Sequence, residues 1–246
     1  QPVAPEAEEK YLNWIRQRAE HIPLQQLTGE QGFMGLTFSV NEHVLIPRQD
    51  TEILVEEVLK ELHDGMRVLD MCTGSGCILL SLLHYSNDCE GLGVDLSAEA
   101  LEVAGRNVLK VLTPEKAEHA HFLQSDLFEK VEGKFEIIVS NPPYIASAEV
   151  EKLMPEVRDH EPRMALDGTE DGLYFYRRII EEAGKHLVSS GMLFFEIGYD
   201  QGQAVSELMR TEGYCEVQVV QDYAGLDRIV FGTYVTVQPA PFAKSR

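Results

Sequence analysis

From residue 67 onward, short apolar runs alternate with stretches of helical spacing. Arg67 to Asp70 reads as a buried strand ending in an acid, and Gly91 to Asp95 as a second that ends the same way. Phe122 to Asp126 and Phe135 to Ser140 supply two further strand ends. Between them, Ile78 to Tyr85 reads as a helix, and Ser97 caps another whose one face carries Leu101, Ala104 and Val108. Leu173, Tyr176, Ile180, Ala183 and Leu187 fall at helical spacing, Gly191 opens a strand through Ile197, and Ala204 to Arg210 predicts a helix closed by Gly213. Two last strands, about Glu216 to Gln221 and Arg228 to Tyr234, read as an antiparallel hairpin at a sheet edge. Repeated strand–helix units imply an α/β fold, a parallel sheet with helices on both faces.

Ahead of Val44 the rhythm changes. Tyr11, Trp14, Ile15 and Ala19 mark an amphipathic helix, and Phe33 to Val40 alternates weakly with Asn41-Glu42 as its turn, which predicts a small β-hairpin. This segment is too short for a core of its own, so it is an extension packed on the main domain or the remnant of a larger one. The expected division is residues 1–45 for helix and hairpin, 46–235 for the main domain, and a frayed tail over 236–246, which carries two prolines and no apolar period.

Length and composition narrow the picture. A chain of 246 residues can bury one good core. No run approaches 18 apolar residues, so no membrane span is expected. Gln1 to Lys10 offers neither a basic nor an apolar leader region and does not read as a signal peptide. The formal charge of −20, without any Lys/Arg-rich stretch, disfavours nucleic acid as the main partner. Cys72, Cys77, Cys89 and Cys215 form no CxxC pair and have no histidine at zinc-ligand spacing, so reduced thiols in a cytoplasmic protein, and no metal, are expected.

Five segments carry candidate chemistry. Asn141-Pro142-Pro143-Tyr144 follows a buried strand directly. The Asn141 side-chain oxygen and the Pro142 carbonyl can accept both hydrogens of a planar NH2 group. The prolines stiffen the backbone that aims them, and Tyr144 can stack on the flat amide. Asp70 to Gly76 is a glycine-rich strand–turn–helix junction, where the backbone can approach a ligand or simply turn tightly. It lacks the third glycine of a dinucleotide fingerprint and any Walker lysine. Asp95 ends the next strand, placed either to accept the two hydroxyls of a ribose or to cap the helix at Ser97. Asp126 could accept from an adenine amino group, with Leu127 covering the ring, or be a solvated loop acid. Ile46 to Glu52 opens a helix, and Asp50 or Thr51 would cap it.

Taken together, Pro47-Arg48-Gln49-Asp50-Thr51-Glu52, Asp70 to Gly76, Asp95, Asn141 to Tyr144, Glu161-Pro162-Arg163-Met164-Ala165-Leu166-Asp167-Gly168 and Asp171-Gly172-Leu173 resemble the protein-(glutamine-N5) methyltransferase family, PrmC/HemK, that modifies peptide chain release factors. The Asn-Pro-Pro-Tyr segment alone is shared with DNA adenine and rRNA guanine N-methyltransferases; its combination with the other segments is more specific. The resemblance implies a class I S-adenosylmethionine-dependent methyltransferase fold, with a seven-stranded sheet whose last strand is antiparallel. It implies an enzyme acting on the glutamine of a release factor's Gly-Gly-Gln loop, with residues 46–235 as catalytic domain and residues 1–45 as the remnant of a helical substrate-docking domain; a cytoplasmic monomer is expected. The implied cofactor contacts are Arg48, Asp50 and Thr51, the turn Cys72, Thr73, Gly74, Ser75 and Gly76, then Asp95, Leu96, Asp126, Leu127 and Asn141. Asn141, Pro142, Pro143 and Tyr144 would hold the substrate amide. The chain departs from the family pattern at Cys72, where a glycine is usual, and at Gln49, where a proline is usual. Competing readings are methylation of a nucleobase amine, which needs a flipped or single-stranded base, a silent cofactor-binding scaffold, and an NAD-dependent oxidoreductase. Glu161 to Gly168 has no evident chemistry and reads as a loop brace or a substrate contact, and residues 145–169 exceed usual loop length, which suggests a lid.

Overall fold

In the computed structural model of the protein, residues 4–235 are described. The predicted tail, 236–246, lies outside them. The chain begins with α1 (Pro5–Ala19), α2 (Leu24–Thr28) and a hairpin of β1 (Glu30–Phe33) and β2 (Leu36–Ser39). There follow α3 (Asp50–Glu61), β3 (Arg67–Met71), α4 (Cys77–Tyr85), β4 (Glu90–Asp95), α5 (Ala98–Val111), α6 (Pro114–Ala117), β5 (Ala120–Gln124) and β6 (Phe135–Ser140). A long connection carries α7 (Ser147–Val150), α8 (Pro155–Arg158) and a turn of 3₁₀ helix, Arg163–Ala165. Then come α9 (Tyr174–Ala183), β7 (Leu187–Glu196), α10 (Gly202–Thr211), β8 (Tyr214–Gln221) and β9 (Asp227–Tyr234).

Strands β3 to β9 form one seven-stranded sheet in the order β5-β4-β3-β6-β7-β9-β8. The first five pair in parallel, and β9 runs antiparallel to both of its neighbours. The predicted terminal hairpin is there, with β8 outermost and β9 inserted between it and β7. Central strands read as unbroken apolar runs because both of their faces are covered. Val68 belongs to one core cluster with Leu79, Leu82 and Val55 of α3 and α4, whereas its neighbour Leu69 belongs to another with Tyr176, Ile180 and Val205 of α9 and α10. The order reverses at β3, since β4 and β5 are added on one side and β6 and β7 on the other; ligands of open α/β sheets sit at such a switch, outside the carboxyl ends of the strands.

Four local expectations need correction. The N-terminal hairpin turns at Met34-Gly35, not at Asn41-Glu42, because Met34 and Gly35 both take positive φ, 52° and 71°, the pair of dihedrals a two-residue hairpin turn requires. Tyr85 donates to the Met34 carbonyl at 2.6 Å, and Glu52 accepts from its N–H at 2.7 Å, which holds a non-glycine residue there. The helix expected to reach Leu187 ends at Ala183; Leu187 instead starts β7, where burial satisfies it equally well. Gly191 lies inside that strand, just after an irregularity at Ser190, φ 64°. Finally, neither Asp50 nor Thr51 caps α3: Gln49 occupies the cap position with no side-chain bond.

The N-terminal hairpin packs on α5: Asn107 donates to the Ser39 carbonyl at 3.1 Å and accepts from the Ser39 N–H at 2.7 Å. Helix α1 buries no residue, so its apolar face, Tyr11 and Ile15 included, is exposed. Near its end Arg18 pairs with Glu156 of α8 at 2.9 Å. No helix among the described residues is long and apolar enough to cross a membrane.

Candidate active site

The turn after β3 takes positive φ at Cys72, Gly74 and Gly76 (63°, 54° and 77°), which curls it at the strand end. At Cys72 an L side chain occupies a conformation that favours glycine. Asp70 braces the curl from below, accepting from the Thr73 hydroxyl at 2.6 Å and from the Leu79 N–H at 3.3 Å. Burial pushes the Asp70 carboxyl up to about 7, against those two hydrogen bonds. Asn107 adds a third tie, donating to the Ser75 carbonyl at 2.9 Å, so one buried amide joins the N-terminal hairpin to this turn.

Asp95 ends β4 beside the turn. One of its oxygens accepts from Gly74 N–H at 2.9 Å and the other from Ser97 N–H at 2.9 Å, while the Ser97 hydroxyl caps α5 through Ala100. Burial raises the Asp95 pKa, opposed by N–H donation from Ser97, Gly74 and Leu96. The carboxylate thus shapes the turn and also faces the cleft. Asp126 and Leu127 follow β5; Asp126 pairs with Arg178 at 2.8 Å, and Leu127 is buried with φ 47°.

Across the switch point, Ser140 ends β6 and donates to the Met71 carbonyl at 2.6 Å, locking the two strand ends together. Asn141 donates its amino group toward the Thr51 hydroxyl at 3.4 Å, and its Oδ1 has no hydrogen-bond partner among the described residues. Thr51 is buried within the first turn of α3, past the cap position at Gln49, and its hydroxyl faces Asn141. Pro142 and Pro143 are buried. The Tyr144 hydroxyl stands 3.5 Å from Oε1 of Glu196, and its carbonyl accepts from Gln201 at 3.0 Å. Burial drives the Tyr144 hydroxyl above its ordinary range.

Of the residues expected at the site, Arg48, Thr51, Asn141 and Pro143 line one cleft together with Cys72, Thr73, Gly74 and Ser75 on its other wall. Asp95, Leu96, Asp126 and Leu127 extend it. Asp50, Gly76, Pro142 and Tyr144 are not in its wall. Asp50 turns to Arg228, 3.5 Å away, and Gly76 lies behind, where a Cβ would meet Ala104 and Leu80 at 3.2 Å. The segment Glu161 to Gly168 supplies wall residues that its motif alone did not assign: Pro162, Met164, Ala165 and Asp167. Glu161 is buried and clamps the opposite lip, accepting from the Arg48 guanidinium and from Ile46 N–H at 3.2 Å. Gly168 N–H donates to the Ile145 carbonyl at 2.8 Å, which lays this segment against the Asn-Pro-Pro-Tyr turn. Both brace and wall are therefore present.

Glu196, at the end of β7, is a buried acid behind the Asn-Pro-Pro-Tyr turn that the motifs do not mark. It is 2% exposed, and burial pushes its carboxyl up to about 7, opposed by Thr51, Arg228 and Asn141 and reinforced by Asp50. An acid ending an apolar strand, as at Asp70 and Asp95, is the signal the sequence offers for it.

The donor set suits a neutral nucleoside bearing an amino-acid arm. Asp95 and Asp126 offer acceptors beside the apolar Val94, Leu96, Leu127 and Phe175. Arg48 is the only Lys or Arg among the described lining residues, and Glu161 already engages it, so a pyrophosphate would meet carboxylates without a cation. The buried Ser75 hydroxyl, without a partner among the described residues, adds a free polar group on the turn. These features fit S-adenosylmethionine.

A methyltransferase of known structure from Pyrococcus furiosus has the same fold, at 17% identity and TM-score 0.59, with 95% of this chain and 100% of that chain covered. The fold and cleft define an S-adenosylmethionine-dependent methyltransferase of class I. Residues 48–157 match the family described as Methyltransferase small domain. The release factor glutamine methyltransferase of Clostridium acetobutylicum is 44% identical over 225 residues, 90% of this chain and 78% of that protein. That of Moorella thermoacetica is 45% identical over 230 residues, 92% of this chain and 80% of the relative. The chain belongs to the release factor glutamine methyltransferase family.

Proposed function

We propose that the protein methylates the side-chain amide nitrogen of the glutamine in the Gly-Gly-Gln loop of a peptide chain release factor, in the cytoplasm and as a monomer, with residues 46–235 as its catalytic domain. The observation that carries this reading is the Asn141 amide, held on its amino side by Thr51 with its oxygen unengaged, next to the rigid Pro142 carbonyl. Two acceptors so placed take both hydrogens of a substrate NH2 group.

S-adenosylmethionine supplies the methyl group as a sulfonium electrophile. Cys72 to Ser75 would bound its methionine end, Asp95 would take the ribose hydroxyls, and Asp126 and Leu127 would meet the adenine. An amide nitrogen is a poor nucleophile because its lone pair is shared with the carbonyl. Asn141 and Pro142 fix both N–H bonds and so aim the lone pair; orientation of this kind supplies about 7–11 kcal/mol in favourable cases. As positive charge grows on the nitrogen the same two acceptors bind it more strongly. The nitrogen then gives up its proton to water, so no strong base is required. Tyr144 keeps the amide plane in register.

The charge of −20 weighs against a nucleic acid substrate. The test is methyl transfer from radiolabelled S-adenosylmethionine to a purified release factor, with its Gln→Ala loop variant and deproteinised RNA and DNA alongside. Label in the wild-type factor alone supports the assignment. Label in nucleic acid alone overturns the substrate and keeps the chemistry.

A further inference from the structure

Two consecutive prolines leave the substrate turn without backbone N–H groups at Pro142 and Pro143. Its geometry has to be fixed through its carbonyls and through the residues that follow. Gln201, in the cap position ahead of α10, reaches it from another part of the fold. Its Nε2 donates to the Tyr144 carbonyl at 3.0 Å and to the Gly172 carbonyl at 3.3 Å. Its Oε1 accepts from Gly198 N–H at 2.9 Å, with the Tyr176 hydroxyl 3.4 Å away. Both donor hydrogens of the amide are engaged, and only one orientation serves all of these partners. A flipped amide would set its oxygen against two carbonyls and its amino group against an N–H. The bonds join the end of the turn after β6, the Asp171-Gly172-Leu173 segment ahead of α9, and the junction between β7 and α10. Gly172 makes the approach possible: it takes φ 71°, and a Cβ there would press on the Tyr144 carbonyl oxygen and stand 2.8 Å from Gln201 Nε2. None of Asp171, Gly172 and Leu173 lines the cofactor cleft.

We propose that Gln201 is a positioning residue for methyl transfer: its amide holds the far end of the substrate turn, so that the Pro142 carbonyl and the Tyr144 ring keep the direction in which they meet the substrate amide. The assignment rests on the amide-methylation reading above. The turn is thereby anchored at both ends. At its start, Ser140 donates to the Met71 carbonyl at 2.6 Å and Asn141 reaches Thr51 at 3.4 Å. At its end, Gln201 holds the Tyr144 carbonyl, and Ile145 bonds through its N–H to the Leu166 carbonyl at 3.0 Å and through its carbonyl to Gly168 N–H at 2.8 Å. Between the anchors both prolines fix φ at about −65°. A rotation of the Tyr144 peptide plane is then passed back along few free dihedrals to the Pro142 carbonyl. Gln201 does not line the cofactor cleft, so its influence on the rate runs through the turn.

The experiment measures kcat for methylation of a release factor at saturating S-adenosylmethionine, and cofactor affinity by titration calorimetry, in the wild type, Gln201→Glu and Gln201→Met. Gln201→Glu keeps the shape of the side chain and its acceptor for Gly198 N–H, but turns a carboxylate oxygen toward the Tyr144 and Gly172 carbonyls. It is expected to lose about tenfold or more in kcat, since misplacement by about 1 Å can cost 10²-fold, with cofactor affinity within about threefold. Gln201→Met removes the hydrogen bonds without opposing the carbonyls and is expected to lose less. A brace that serves stability only would lower Tm in a thermal melt and leave kcat of the folded protein at the wild-type value; that result overturns the assignment, as does a loss of cofactor affinity equal to the loss of kcat. Gln201→Met decides if Gln201→Glu does not fold. If neither folds, exchange of the two Gln201 side-chain amide protons in isotope-labelled wild-type protein decides: protection of both supports the assignment, and exchange as fast as in an exposed glutamine overturns it. Absence of label in the release factor with the wild-type enzyme defeats the substrate reading, and Gln201 with it; label with wild-type kcat in both variants defeats only the Gln201 assignment.

Discussion

Adding one methyl group at Gly168 should disable the enzyme from outside its catalytic turn. A Cβ there would stand 2.8 Å from the Pro143 carbonyl oxygen, 2.8 Å from Tyr144 Cα and 2.9 Å from Gly172 Cα. All three are backbone atoms, so no rotamer change relieves the contact, and the two chain segments must part by roughly half an ångström to restore ordinary packing. Overpacking of this kind costs about 1–3 kcal/mol, which in a protein of this size lowers Tm by about 2–4 °C per kcal/mol. The larger effect is on rate, because the displaced backbone carries the Pro142 acceptor and Asn141. Misplacement by about 1 Å can cost 10²-fold, so Gly168→Ala is expected to lose at least about tenfold in kcat. Asp95 and the glycine turn lie on the other wall, so cofactor affinity should stay within about threefold, a difference below 1 kcal/mol. Initial rates at saturating cofactor, calorimetric titration with S-adenosylmethionine, and a thermal melt read the three quantities. Wild-type kcat in Gly168→Ala would refute the idea that this segment fixes the amide-binding turn.

Asn141→Ala removes the substrate acceptor and is expected to lower kcat by about 10²–10³, the usual loss for a transition-state hydrogen-bonding group; an unchanged kcat in steady-state assays sinks its catalytic assignment. Asp95→Asn sets an amino group against Gly74 or Ser97 N–H and should weaken S-adenosylmethionine binding by about tenfold or more, since hydrogen bonds to a charged group are worth about 1.5–3 kcal/mol; titration calorimetry checks it. Asp70, raised to about 7 from an ordinary 3.8, binds its proton more tightly folded than unfolded, so its contribution to stability is full below about 4 and is lost as pH rises through 7. Melts of wild type and Asp70→Asn from pH 5 to 8 should diverge in slope, and parallel slopes contradict this. Gly105 is exposed within α5, and a Cβ added there would meet nothing within 4 Å, so Gly105→Ala should add about 0.5–1 kcal/mol and raise Tm in a thermal melt.

The central strands were legible because each is buried on both faces, and an apolar run stopped by an acid or by Asn141 is a strong local signal. The motif residues of the cleft were legible for the same reason, since most sit where a strand stops. What the one-dimensional pattern hid depends on contacts made far along the chain. The turn at Met34 needs Tyr85 and Glu52 to hold its dihedrals, and neither is nearby in sequence. Asn107 occupies the apolar face of α5 and reads as an ordinary polar residue until Ser39 and Ser75 are brought to it. Leu187 keeps helical phase by coincidence, because a core accepts a leucine from a strand as readily as from a helix. Thr51 reads as a helix cap until Asn141, 90 residues away, takes up its hydroxyl.

The position of β9 has a consequence for synthesis. It is the latest of the described strands in the chain, yet it sits inside the sheet, between β7 and β8. As the polypeptide emerges from the ribosome, β7 must wait with an open edge until residues through Tyr234 are available to fill the gap. Arg228 arrives on the same strand and joins Asp50 and Asp222 behind the catalytic turn. A nascent chain halted before Asp227 would hold every residue of the cofactor cleft and still lack that cation. A family named for acting on the factors that end translation thus acquires its complete active site only as its own translation nears this late strand.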